Sequence, residues 1–254
     1  MSHWDEDLPP LDCHAHLAPD VTSEDVAGLK GARVFGVTRS LAEASAVLSI
    51  GHPDVTWGCG VHPRVPEALD DFSAETFAAL LPRFALVGEV GLDGRAGVKE
   101  RQRAVFSDVL RLSSGQPVVL SIHSAGAVSD VLDILERHPH PGAILHWFLG
   151  DDAAVRRAAS LGASFSTNGA MSDDQLKTLP RDRVLPETDF PAAGRRAGTR
   201  PGDTAALEAT LATLWSMSAD EVRRQLYRNL RGLASRTGAI ERLPEALADM
   251  LLFA

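Results

Sequence analysis

Cysteine is nearly absent from this chain. Cys13 and Cys59 are the only two among 254 residues, too few for a disulfide framework, so a reducing cytoplasm is the expected setting. The start, MSHWDEDLPP, has no basic segment leading into an apolar stretch, which speaks against a secretory leader. No run approaches the roughly 18 consecutive apolar residues that a membrane-spanning helix needs. Positive charge is also in deficit: 25 basic against 34 acidic residues leave a formal net charge of −9. That balance excludes a protein that coats nucleic acid by general attraction, but not one that takes nucleic acid as a substrate. Missing too are GxxxxGKS/T, a GxGxxG after the first apolar run, HExxH and GxSxG. With them go the phosphate-loop, dinucleotide-fold, zincin and nucleophile-elbow chemistries.

What remains is ordinary globular material. With 44% apolar residues the chain can bury a large core without disulfides or a structural metal. Short runs rich in Val, Ile and Leu alternate with stretches of helical period, the pattern of βα units around a parallel sheet. Eight strands are expected, near residues 10–14, 33–38, 55–60, 85–90, 117–122, 143–147, 163–167 and 183–187. Ser40 with Glu43 reads as a capping box opening a helix over Leu41, Ala44, Val47 and Leu48. Ser218 with Glu221 opens another, whose apolar face is Val222, Leu226, Leu230 and Leu233. Val128, Val131, Leu132 and Leu135 fall at helical spacing, as do Leu207, Thr210, Leu211 and Leu214 if a Thr methyl is counted. The stretch 190–203 reads as a long loop after the last strand rather than as a linker. The expected architecture is therefore one α/β domain over residues 1–254. It is a TIM-type (β/α)8 barrel, regular or distorted, with its site at the C-terminal rim of the strands.

The informative residues collect where strands end. In LDCHAH, His14 and His16 are two apart, so an extended chain points both to one face and makes them a chelating pair. Glu89 closes FALVGEV, His123 closes PVVLSIH, His146 follows GAIL, and Asp189 lies just past RVLPETD. A carboxylate in an apolar parallel strand is costly unless it is paired or bound to a cation. Any one of these histidines, taken alone, reads as an ordinary polar group in the core or at the surface. Together, four imidazoles and two carboxylates at the same end of different strands suffice for two divalent ions bridged by Glu89. His3, His52, His138 and His140 fall in a terminus or in Pro-flanked loops and receive no role. Cys13 and Cys59 read as packing groups, and Trp147 either lines the pocket or fills core.

In these residues the chain resembles the TatD family of metal-dependent hydrolases, TIM-barrel nucleases. The likeness runs through DCHAHL (12–17), GVHP (60–63), GEVGLD (88–93), SIHS (121–124), LHWFLG (145–150) and ETDFP (187–191). It implies that His14, His16 and Asp189 hold one metal and that His123 and His146 hold the other, with Glu89 between them. It further implies that His62 contacts substrate, that Glu187 is a carboxylate near the centre, and that Asp93 supports it. Three departures stand out: Ala125 where the family usually has Arg, Gly94 where it commonly has Tyr, and HWFLG for the commoner HCFSG. The combination of GLDG, LSIHS and LHWF resembles the TatD-type nuclease component of Qat anti-phage defence cassettes.

The expected function is metal-dependent hydrolysis of DNA phosphodiester bonds in anti-phage defence, at DNA ends or single strands. Two Zn, Mg or Mn ions about 3.5–4 Å apart suit that reaction, with Glu89 and Asp189 as the catalytic carboxylates and Asp189 the proton acceptor. Arg64, Arg95, Arg195, Arg196 or Arg200 offers contacts to flanking phosphates, and protein partners in a defence complex are expected. Two other readings stay open. The same ligands serve a small-molecule amidohydrolase-like enzyme, which Ala125 keeps in view, or the metals stabilise a non-catalytic subunit of a defence complex.

Overall fold

The computed structural model describes residues 8–17, 23–95, 97, 99–191 and 199–253. Among them lie eight strands: β1 (Leu11–His16), β2 (Arg33–Val37), β3 (Val55–Trp57), β4 (Leu86–Gly91), β5 (Val119–His123), β6 (Ala143–Leu145), β7 (Ser164–Thr167) and β8 (Val184–Pro186). The helices are α1 (Ser23–Gly28), α2 (Leu41–Val47), α3 (Pro66–Asp70), α4 (Ala74–Leu80), α5 (Glu100–Ser113), α6 (Val128–Arg137), α7 (Asp152–Ser160), α8 (Asp173–Thr178), α9 (Ala205–Trp215), α10 (Ala219–Thr237) and α11 (Glu245–Phe253). Helix follows strand because each strand is buried on both faces and needs an amphipathic cover. In α6 the expected stripe is buried at Val131, Leu132 and Leu135, with Val128 packed at its margin. In α9, Leu207 and Leu211 are buried, whereas the Thr210 hydroxyl donates back to Ala206 O.

All eight strands run parallel, in two sheets of order β1-β2-β3 and β4-β5-β6-β7-β8. At one seam Gly58 bridges to Leu86, and Cys59 and Val61 donate to Leu86 O and Glu89 O at 3.0 and 2.9 Å. The third strand was expected to reach residue 60; its ladder to β2 ends at Trp57 because the chain there turns its hydrogen bonds toward β4. At the other seam Asp189 N donates to His14 O at 2.9 Å and His16 N to Phe190 O at 2.8 Å. The eight strands thus form a distorted (β/α)8 barrel, regular within each sheet and irregular at two seams. The ladder also slips between Asp12 and Ala15 and between Val87 and Val90. Irregularities of this kind re-aim side chains, and these two lie at His14 and Glu89.

The end of the barrel opposite the rim is plugged. Leu11, Leu86, Val119, Ile144 and Leu185, from near the starts of five strands, pack with Tyr227, Leu230 and Leu233 of α10. Burying each of those leucines contributes roughly 2 kcal/mol. α10 begins at the full capping box of Ser218 and Glu221. At α2 the box is incomplete: Ser40 accepts from Glu43 N, but Glu43 accepts from Arg39 N rather than from Ser40. The Arg39 guanidinium also pairs with that carboxylate and holds it there.

Candidate metal centre

The six expected ligands converge at the C-terminal rim, and His62 joins them. His14 and His16 come from β1, Glu89 from β4 and His123 from β5; His146 and Asp189 follow β6 and β8. Glu89 stands at the middle, fully buried. Its Oε2 lies 3.6 Å from His14 Nε2 and 3.1 Å from both His16 Nε2 and His62 Nε2. Its Oε1 lies 2.5 Å from His123 Nδ1 and 2.9 Å from His146 Nε2. The two oxygens are therefore shared between two sets of imidazoles.

The residues fit a metal ion. Asp189 Oδ1 is 3.5 Å from the Nε2 atoms of both His14 and His16. Four ligands about 2.1 Å from a tetrahedral ion sit about 3.4 Å from one another. The edges joining His14 and His16 to Glu89 Oε2 and Asp189 run from 3.1 to 3.6 Å. Buried His14 Nε2 and Glu89 Oε2 have no hydrogen-bond partner, and an unpaired buried polar atom costs about 1–3 kcal/mol. Among the described residues three groups can hold an ion: His14, His16 and Asp189; His14, Glu89 and His146; and His16, His62 and Glu89. The contacts around Glu89 Oε1 are shorter, with His123 Nδ1 3.1 Å from His146 Nε2.

The charges are coupled. Burial disfavours charge on Glu89, but His146, His62 and His123 outweigh it and hold its pKa well below the usual carboxylate range. Burial and the neighbouring His146 lower the pKa of His14. His16 is raised, because Glu89 and Asp189 overcome its burial. Asp189 is itself raised by burial.

A second ring of residues, which the sequence reading passed over, orients the ligands. Ser121 Oγ is 2.6 Å from His14 Nδ1; Ser121 is two residues before His123, so the alternation of β5 places both on one face. Buried Asp12 accepts from Thr188 N, Thr188 Oγ1, Gly202 N and His14 N at 2.7–3.2 Å. It thereby ties the approach to Asp189 onto β1. Thr38 O accepts from Glu89 N at 3.0 Å. Glu187, expected as a carboxylate near the centre, and Asp93, expected to support it, are both buried, and neither lines the cavity. Glu187 accepts from Ser166, Asn168 and Trp147 N and lies 3.9 Å from His146 Nδ1. Asp93 accepts from Arg95 and meets His123 Nε2 at 2.9 Å.

Above the centre opens a cavity of about 470 Å³ lined by His16, His62, Glu89, His123, His146 and Asp189. Arg64 and Arg95 stand in its wall with Ala125, Trp147, Leu149 and Pro191. Arg200 is not in that wall, and Arg195 and Arg196 lie outside the described residues. Cys13 and Cys59 are buried free thiols, the latter pushed up to about 12 by burial. His140, given no role, is buried and structural, accepting from Gly142 N at 3.0 Å. Gly94 has a local reason: a Cβ there would lie 2.0 Å from Gly126 O, because the loops after β4 and β5 touch. No helix among the described residues is long and apolar enough to cross a membrane.

Known proteins place the chain in a family. The family model described as TatD related DNase matches residues 11–235. The chain is 28% identical over 183 residues to the 3'-5' ssDNA/RNA exonuclease TatD of Rahnella sp. (strain Y9602), covering 65% of this chain and 68% of that protein. It is 31% identical over 182 residues to the protein of the same name from Edwardsiella piscicida, covering 65% and 69%. Among solved structures, the TatD homolog YJJV of Escherichia coli K12 superimposes with a TM-score of 0.76 at 25% identity, over 88% of this chain and 96% of that one. A TatD family hydrolase from Entamoeba histolytica, at 16% identity and a TM-score of 0.75, shares the fold over 90% of this chain and 99% of its own. The chain belongs to the TatD-related DNase family of hydrolases.

Proposed function

We propose that this protein, one domain over residues 1–254, is a nuclease that hydrolyses DNA phosphodiester bonds at a centre of two divalent ions, Zn, Mg or Mn. The observation that carries the reading is the convergence of His14 Nε2, His16 Nε2, Glu89 Oε2 and Asp189 Oδ1 at ligand spacing, two of them buried without a hydrogen-bond partner. His14, His16 and Asp189 would hold one ion, His123 and His146 the other, with one Glu89 oxygen toward each. Ions bound there supply positive charge at the phosphate and acidify water. Asp189, at the cavity wall, takes the proton of the attacking water. His62 faces the reacting group, and Arg64 and Arg95 meet flanking phosphates. Nucleic acid as substrate is supported by the names of the relatives, ssDNA/RNA exonucleases.

The wider setting we propose is the cytoplasm and an anti-phage defence complex with protein partners. Its support is the combination of GLDG, LSIHS and LHWF. The deciding experiment is digestion of end-labelled single- and double-stranded DNA with the metal varied, beside His123→Ala and Asp189→Ala. Cleavage should require metal, stop in chelator and vanish in both variants while circular dichroism stays native. Unchanged cleavage by His123→Ala overturns the assignment. Inert DNA with hydrolysis of small amides or lactones transfers the same centre to a different substrate class.

A further inference from the structure

The segment after β6 reads His146-Trp147-Phe148-Leu149-Gly150; His146, Trp147 and Leu149 line the cavity, Trp147 also packing on the core, while Phe148 turns away from it. Phe148 is buried, its ring centroid 5.3 Å from that of Phe165 in β7. Gly150 makes room for it, since a Cβ at 150 would lie 2.5 Å from the Phe148 ring. With Phe148 anchored in the core, its neighbours Trp147 and Leu149 line the cavity above the centre. Leu149 is 53% exposed, one of three large apolar side chains exposed to this degree among the described residues. The other two, Leu252 and Phe253, lie at the end of α11.

Trp147 is held there at a conformational cost. Its φ is +37°, a region that bulky residues seldom enter and that concentrates at functional sites. Its N–H donates to Glu187 Oε1 at 3.0 Å, and that buried carboxylate is gripped in turn by Ser166 and Asn168. The other components of the wall are of opposite character: Arg64 and Arg95 bring guanidinium groups to the same cavity. A ligand that fills it meets imidazoles and carboxylates, two cations, a flat aromatic and an aliphatic side chain. A nucleotide has matching parts, an anionic phosphate joined to a flat apolar base.

We infer that Trp147 and Leu149 form a stacking wall for the nucleobase next to the scissile phosphate. The inference rests on the phosphodiester reading and adds the residues that meet the base of a strand whose bases are unpaired and free to splay. Within a duplex the face of each base is already covered by its neighbours, whereas an unstacked base offers its π-face to an aromatic side chain. Sequence preference is correspondingly weak, since every base has such a face.

The test compares an end-labelled eight-nucleotide DNA strand with an eight-residue strand of abasic tetrahydrofuran units, using the full chain loaded with the metal that supports cleavage. The phosphates are the same and only the bases differ. The expected kcat/KM ratio, intact over abasic, is about tenfold or more in the unmodified protein. It should collapse toward one in Trp147→Ala, be largely retained in Trp147→Phe, and fall in Leu149→Ser, which also serves if Trp147→Ala does not fold. A ratio near one in the unmodified protein, or a full ratio in a folded Trp147→Ala or Leu149→Ser, overturns the stacking wall and leaves the nuclease reading intact. An unmodified protein that cleaves neither strand overturns the phosphodiester reading itself.

Discussion

Removing one hydroxyl, in Ser121→Ala, should loosen metal binding without touching a ligand. The Ser121 Oγ to His14 Nδ1 contact is 2.6 Å long and wholly buried. With the proton of neutral His14 on Nδ1, donating to Ser121, the Nε2 lone pair is free toward the gap between Glu89 and Asp189. Without the hydroxyl, Nδ1 is left buried and unpaired, and the proton gains by moving to Nε2, where it points at two carboxylates. That tautomer must be reversed before an ion can bind. The cost is that of one unsatisfied buried group, about 1–3 kcal/mol, or roughly 10–100-fold in metal affinity. Chelator competition at pH 7 measures it directly, and Ser121→Cys, which keeps a weak acceptor, should fall between the two. A Ser121→Ala affinity within twofold of the unmodified protein would refute the reasoning and place the tautomer under other control.

Three further outcomes follow from other parts of the molecule. Gly94→Ala places a Cβ 2.0 Å from Gly126 O, so overpacking should cost about 1–3 kcal/mol; thermal unfolding of the metal-free protein should drop by several degrees, and an unchanged midpoint would show that the loop yields freely. Because the pKa of His16 is raised above 6.5 and that of Asp189 is raised by burial, the metal-free site holds protons that an ion must displace. Metal affinity should fall as pH drops through the raised pKa of His16, with net proton release measured by calorimetry in two buffers; zero release counts against it. Burial pushes the Asp93 carboxyl up, but the hydrogen bonds from Arg95 and His123 together outweigh it and hold it at about 2, so its contribution to stability is present above 3.8 and is lost as pH falls toward 2. Arg95→Ala raises that folded pKa, and acid unfolding of the metal-free protein, followed by circular dichroism, should begin at higher pH; an unmoved acid limb argues against the pair.

Much of this was legible without coordinates because the relevant signals are local. A parallel strand buried on both faces must be an apolar run, so a Glu, a His or an Asp at its end stands out against its neighbours. Strand C-termini gather at one rim in a barrel, and that single rule joined His14, His16, Glu89, His123, His146 and Asp189 across 176 residues of chain. What escaped were partners with no local mark. Ser121 is an unremarkable strand residue until β4 and β5 bring it against His14. Asp12 reads as part of a motif until Thr188 and Gly202 close on it.

The sequence by itself determined the eight parallel strands, the rim at which they end, and which imidazoles and carboxylates gather there, since periodicity and residue type are properties of short segments. The tertiary structure alone decided how the two oxygens of Glu89 are divided among five imidazoles, that His62 stands with the ligands, and that Trp147 is pinned at positive φ in the cavity wall. Those are distances between side chains on different strands. They depend on register, on the slips at His14 and Glu89, and on the packing of Phe148, none of which is encoded within reach of any one of the residues concerned.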